Sequence, residues 1–240
     1  ADLHFSPTAA NKQNLLKENV DEKNIFITGN TVIDALKSTV KENYKFKDEY
    51  LNSVDFNAKK VILMTAHRRE NLGKPLENIC SAVKEIVEKH SDVEVVYPVH
   101  LNPAVREVAN KILGGMDRVH LIEPLDVVDM HNAMHRCYMV MTDSGGLQEE
   151  APSLGKPVIV LRTETERPEA VKAGTVIMGG IEKDVIVKYA ADLICDSEFY
   201  KKISKTANPY GDGTASKRTV DAILYHFGYL KERPEDLKVD

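Results

Sequence analysis

The sequence predicts a doubly wound α/β domain with a parallel sheet, and three observations carry that prediction. From residue 60 onward short β-branched runs alternate with helical patterns, giving about six β-α units. The strand-like runs are unbroken apolar stretches rather than alternating ones, the mark of strands buried on both faces. The residues that follow each run are polar and distinctive, as expected where ligands gather beyond the carboxyl ends of parallel strands.

The units follow in order. "KVILMTAH" leads to "PLENICSAVKEIVEKH", "VEVVYPVH" to "NPAVREVANKIL" and "RVHLIEP" to "DVVDMHNAMHRC". "YMVMTDSG" then leads to "GLQEEAPSLG", "PVIVLR" to "RPEAVKAG" and "TVIMGG" to "EKDVIVKYAADLI". The domain is expected to run from about residue 30 to 210. Ahead of it, "SPTAANKQNLLKENV" reads as an amphipathic helix with a Ser-Pro-Thr start, and "NIFITGNTVIDAL" as a strand-like run that breaks at Gly29 into another helix. Behind it, "NPYGDGTASKRTVDAILYHFGYL" is a Gly/Pro-rich turn and a helix with apolar residues at Val220, Ile223, Leu224 and Phe227. Both flanks read as pieces that dock outside the central sheet.

Composition narrows the function. The 240 residues, 42% hydrophobic and 29% charged with a formal net charge of -5, are those of an ordinary globular protein. Lys and Arg are scattered, so no basic stripe points to nucleic acid. No apolar run approaches the roughly 20 residues of a membrane span. Cys80, Cys137 and Cys195 lie far apart without a C-x-x-C and read as buried thiols of a reducing cytoplasm. The N-terminus lacks the charged and apolar regions of a signal peptide and lacks a starting Met.

Ser144, Gly145 and Gly146 sit between a strand and a helix, where small residues let a backbone approach an anion, with Ser144 as candidate N-cap. A diphosphate cradle and a plain turn both fit, and the sequence matches neither a Walker A loop nor G-x-G-x-x-G. Glu150 lies four residues on, about 6 Å along a helix at 1.5 Å per residue. That is a step from diphosphate to ribose, whose hydroxyls a carboxylate would accept. Glu149 reads as part of a solvated helix face. His67, Arg68 and Arg69 follow a strand end, where cations would hold phosphate, and His100 ends the next strand. Arg167 precedes a helix-opening Pro at the same rim. His131 and His135 have ligand spacing, but no H-E-x-x-H frame surrounds them and no metal is expected.

The motifs "TGNTVIDAL", "TAHRREN", "LIEPLD", "TDSGGLQEEAPSLGKPV", "TERPEAV" and "NPYGDGTAS", in this order over residues 4 to about 227, resemble the non-hydrolysing UDP-N-acetylglucosamine 2-epimerases. The sequence looks like the C-terminal two-thirds of that family. The resemblance implies a Rossmann-like domain, the C-terminal half of a GT-B architecture that binds the nucleotide. Residues 1–29 would be a remnant of the N-terminal domain and linker, 30–210 the nucleotide-binding domain, and 211–240 a C-terminal helix packing back toward the N-terminal domain. It implies interconversion of UDP-GlcNAc and UDP-ManNAc without cofactor, by elimination and re-addition of UDP, for cell-envelope polysaccharide synthesis in a cytoplasmic homodimer.

Carried over by motif, Ser144, Gly145 and Gly146 meet the diphosphate, Glu150 the ribose, Arg167 the same site, and His67 is the active-site histidine. The loop Leu125 to Met130 surrounds the uracil, with Met130 where some relatives have an aromatic. Arg68 with His100 matches the pocket of an activating UDP-sugar in several members. The acids that move the C2 proton lie in the family's N-terminal domain, so Asp143 and Glu149 are not assigned to that work. A hydrolysing epimerase, a GT-B glycosyltransferase and a nucleotide-sugar binding module are the alternatives.

Overall fold

A computed structural model describes residues 1–238. The last two positions of the expected C-terminal segment, 239 and 240, lie outside the described residues. The chain divides into two compact units, residues 1–39 with 207–240 and residues 40–206.

The first unit is built from the two ends of the chain. Strand β1 (His4–Ser6) pairs in parallel with β2 (Ile25–Ile27), and α1 (Ala9–Lys17), N-capped by Thr8, connects them. The helix was expected, whereas three-residue β1 carries too short a pattern to be read from sequence. Helix α2 (Thr31–Thr39) follows Gly29, whose φ of 83° favours glycine and where a Cβ would lie 3.2 Å from the Tyr210 carbonyl oxygen.

Two sequence motifs meet at that point. Asn30 N–H donates to Tyr210 O, Lys37 Nζ to Gly213 O, and Asp34 accepts from the backbone N–H groups of Ala215 and Ser216 at the start of a C-terminal helix, residues 215–226. Asp212 bridges Arg218 through both guanidinium nitrogens, at 2.9 and 2.7 Å. These bonds draw α2 to the terminal segments. Residues 30–39 and 207–210, assigned by sequence to the sheet domain, therefore belong to this unit.

In the second unit, α3 (Glu49–Ser53) leads into a six-stranded parallel sheet. The strands are β3 (Lys60–Thr65), β4 (Val93–Pro98), β5 (Val119–Ile122), β6 (Met139–Thr142), β7 (Val158–Val160) and β8 (Val176–Met178). They are linked by α4 (Lys74–Lys89), α5 (Pro103–Leu113), α6 (Val127–Arg136), α7 (Leu147–Ser153) and α8 (Pro168–Ala173), and α9 (Lys183–Cys195) and α10 (Ser197–Ser204) follow. All pairings are parallel in the order β5-β4-β3-β6-β7-β8. The sheet is doubly wound and Rossmann-like, as the six apolar runs predict.

Both sheet faces are covered. Ile62, Met64, Val95, Tyr97, Met141 and Ile159 share a core with Leu76, Ile79, Val83 and Ile86 of α4 and with Ile186, Ala190 and Leu193 of α9. The alternate strand residues Val61, Leu63, Val96, Val140, Val158 and Val160 are buried on the other side. Helix α6 is pinned through Asp129, which accepts from Tyr44 Oη at 2.6 Å and from Lys47 N, and this bond raises the Tyr44 pKa to about 12. Cys80 and Cys137 are buried as expected; Cys195 is exposed, because α9 turns its last residue away from the sheet.

Candidate functional site

Counted within the sheet, the strand order is the 3-2-1-4-5-6 arrangement, whose winding reverses between β3 and β6. Crossovers leave these two strands in opposite directions, so their carboxyl ends open a crevice that no connection covers. Thr65 and Thr142 are register partners there, their hydroxyls 2.6 Å apart and buried. The loops beginning at Ala66 and Asp143 border the crevice, and these are the "AHRREN" and "DSGGLQEE" segments.

Asp143 is fully buried at the end of β6. Its Oδ2 accepts from His67 N–H and Arg68 N–H, both at 2.7 Å, and from Asn71 Nδ2 at 3.0 Å. Asn71 also donates to Leu161 O, and Tyr97 Oη donates to Ala66 O at 2.6 Å. The loop after β3 is thereby tied to β4, β6 and β7. A short turn that would otherwise be mobile holds His67 and Arg68 in place.

Ser144 is not the N-cap that the sequence suggests: helix α7 starts at Leu147 with Gly146 at the cap position, two residues beyond Ser144, whose N–H donates to Thr142 Oγ1 at 2.9 Å. Among the described residues the N–H groups of Gly145 and Gly146 have no acceptor. Two guanidinium groups stand over this turn: a methyl built on Gly145 would lie 3.6 Å from Arg68 Nη2 and 3.7 Å from Arg167 Nη2. A methyl on Gly146 would lie 3.3 Å from Glu150 Oε1. Bare backbone, two cations and then a carboxylate therefore follow one another along a single turn and the helix it opens.

The two glutamates divide the work. Glu149, expected on a solvated face, is buried, with its side chain 4% exposed and its Oε1 bonded to Arg167 Nε. The reason is tertiary: the loop after β7 crosses over α7 and delivers Arg167 onto it. Thr165 Oγ1 donates to Gln148 Oε1 at 2.6 Å and accepts from Arg167 N–H at 3.0 Å, while Gln148 Nε2 donates to Ser144 O at 3.1 Å. This chain links the Ser-Gly-Gly turn to Arg167. Glu150 faces His131, with Oε2 3.4 Å from Nε2 of the buried imidazole. His131 thus serves a carboxylate, and no group of three or more His, Cys, Asp or Glu among the described residues is placed to hold a metal.

Arg162 bridges the rims, 3.0 Å from Glu70 of one loop and bonded to both carboxylate oxygens of Glu166 in another. Its guanidinium lowers the Glu166 pKa to about 2. Arg68 and His100 have different partners within the crevice. Arg68 leans on Gly145 with Nε donating to Asp143 O, whereas the His100 ring stacks on His67 with centroids 5.1 Å apart and planes 5° from parallel. Leu125 and Met130 lie half-buried at the first turn of α6, on either side of its N-cap Asp126.

The sequence reading weighed Asp143 and His131 only for other roles and did not single out Asn71, Gln148, Thr165 or Arg162. Asp143 and Asn71 lie inside segments already singled out, so their place beside His67 and Ser144 was the available signal. The others act through loops whose crossing no sequence spacing encodes.

A family model described as UDP-N-acetylglucosamine 2-epimerase matches residues 1–224. The chain is 56% identical to the UDP-N-acetylglucosamine 2-epimerase of Bacillus subtilis over 98% of its own length and 61% of that protein. It is similar to Staphylococcus aureus MnaA in a structure with UDP, at TM-score 0.93 and 51% identity, covering 99% of this chain and 64% of that one. It is also similar to the UDP-GlcNAc 2-epimerase of Neisseria meningitidis bound to UDP-GlcNAc, at TM-score 0.86 and 43% identity, covering 94% of this chain and 62% of that one. The chain spans about three-fifths of the length of the curated relatives it matches.

Proposed function

The chain belongs to the UDP-N-acetylglucosamine 2-epimerase family, and from that premise we propose that it supplies the UDP-binding part of an enzyme that interconverts UDP-GlcNAc and UDP-ManNAc. The observation that carries this reading is the order of groups at the switch point. Unpartnered N–H groups at Gly145 and Gly146 with the guanidinium groups of Arg68 and Arg167 suit a diphosphate, and Glu150, one helical turn further, suits vicinal ribose hydroxyls. That relatives have been solved with UDP and with UDP-GlcNAc supports it.

In this reading UDP leaves C1 as the C2 proton is removed, and adds back as a solvent-exchangeable proton is delivered to C2 from the other face. The residues here bind and stabilise the departing diphosphate. Arg68 and Arg167 offset its growing charge, Glu149 fixes Arg167, and His67 stands beside the phosphates. Leu125 and Met130 line the side toward the base. An activating UDP-sugar would sit against His100 and the outer side of Arg68.

Titration calorimetry with UDP tests the binding part. Glu150→Ala leaves ribose hydroxyls unpaired, a loss of about 1–3 kcal/mol, and unchanged affinity would remove the ribose assignment. Solvent deuterium entering C2 of UDP-GlcNAc tests the reaction. Exchange is expected from a full-length family protein carrying this sequence and not from the 240-residue chain, and comparable exchange by both would place the proton-moving groups within these residues. Free ManNAc in the product NMR spectrum would replace epimerisation by the hydrolysing reaction.

A further inference from the structure

We propose that Asp143 is a positioning residue for His67, holding the imidazole with its proton on Nδ1 and turning Nε2 toward the crevice. The two oxygens of this buried carboxylate have different surroundings. Oδ2 is saturated by the N–H groups of His67 and Arg68 and by Asn71 Nδ2. Oδ1 has no hydrogen-bond partner among the described residues, and the group facing it is His67 Nδ1 at 3.5 Å. A buried carboxylate oxygen without a donor is unfavourable. A small rotation of the His67 side chain, whose own backbone N–H is already anchored to the same carboxylate, closes that gap.

His100 fixes the plane of the ring. It stacks on His67 nearly parallel, and its Nδ1 accepts from Asn102 N–H at 3.1 Å, so a neutral His100 carries its proton on Nε2. His67 is then clamped between a flat neighbour and a carboxylate. A neutral imidazole has one donor and one acceptor nitrogen; with Nδ1–H committed to Asp143, Nε2 of this 37% exposed side chain is left as the acceptor. In that state it can take a proton from, or return one to, an oxygen of a bound anion. This consequence rests on the nucleotide reading above, whereas the tautomer itself does not.

Replacement of Asp143 by Asn reverses the polarity that His67 Nδ1 faces. Asp143→Asn must place its carbonyl oxygen where three N–H donors converge, so its NH2 faces His67 Nδ1. That nitrogen then has to accept, and the ring proton moves to Nε2 by exchange with water, the same reversal expected wherever an Asn replaces the carboxylate behind a histidine.

The test is a long-range 1H–15N spectrum of the 240-residue chain labelled at histidine, in mildly alkaline buffer, with His67 assigned by its loss in His67→Gln. The expected result is a protonated Nδ1 and bare Nε2 in the parent protein, inverted in Asp143→Asn. A protonated Nε2 in the parent, or an unchanged pattern in the variant, overturns the proposal. If the Asn variant does not fold, the parent spectrum decides alone by the same criterion. UDP titrated into the same samples separates the two readings: absence of binding by the parent refutes the nucleotide site and leaves the tautomer result standing.

Discussion

The two ends of the six-stranded sheet differ in how they treat charge. At the amino ends a cavity of about 990 Å3 is lined by Lys60, Asp92, His135, Tyr138, Lys156 and Tyr200, among others. Its Lys60–Asp92 ion pair, 2.8 Å long, leaves the two side chains 33% and 49% exposed. At the carboxyl ends Asp143 is fully buried and Glu149 nearly so, each held by donors from a different loop. The amino end leaves its ion pair in solvent, and the carboxyl end desolvates these two carboxylates and aims their partners. Desolvation gives a charge leverage over a ligand, because fixed dipoles in a dry setting need not reorganise.

The largest effect expected from that contrast is at Arg167. Arg167→Ala leaves Glu149 buried without its guanidinium, which should destabilise the second unit by about 3 kcal/mol and abolish measurable UDP binding. Lys60→Ala, at the solvated end, should stay within about 1 kcal/mol and bind UDP as before. Urea unfolding of the two variants checks this. Equal losses would mean that burial of the charges does not distinguish the two ends.

A smaller effect concerns where the ligand sits. UDP should shift the backbone amide signals of Gly145, Gly146 and Glu150 and leave those of Phe56, Asn57 and Ala58 at the amino-end cavity unmoved. His135→Ala should leave UDP affinity unchanged, whereas His131→Ala, which frees Glu150 to swing, should weaken it several-fold. Amide shifts confined to the amino-end cavity would reverse the assignment of the two ends.

The smallest expected effect tests a charge pair of intermediate exposure. Arg162 lowers the Glu166 pKa from 4.5 to about 2. A carboxylate lowered on folding contributes stability that is present above the unfolded value and lost as pH falls through the folded one. Melting temperature should therefore fall across the window from 4.5 to about 2 more steeply in the parent than in Glu166→Gln. The Glu166 side chain is half exposed, so solvent screening keeps the difference small. Identical slopes would show that the Arg162–Glu166 pair within the loop after β7 does not form.

The sheet was legible in the sequence because strands buried on both faces must be apolar throughout, and "VILMT", "VEVVYP" and "YMVMT" satisfy that without reference to any neighbour. Strand-end position likewise exposed His67, Ser144, Glu150 and Arg167, since a parallel sheet puts its ligands there. What sequence misjudged depended on partners distant in the chain. Glu149 read as solvent-facing until the loop after β7 laid Arg167 across it, and Ser144 read as a cap although α7 starts only at Leu147, with Gly146 at the cap position. The boundary at residue 30 moved because Asp34 and Asn30 bond to residues far along the chain, Ala215 and Tyr210.

By itself, then, the sequence determined which segments become parallel strands and which residues stand at their carboxyl ends, because backbone periodicity and burial are local consequences of composition. Only the tertiary structure decided which of those residues are desolvated and whom they bond. A carboxylate's burial depends on donors that other loops bring over it, and the Asp143 cradle around His67 exists only once β3 and β6 lie side by side.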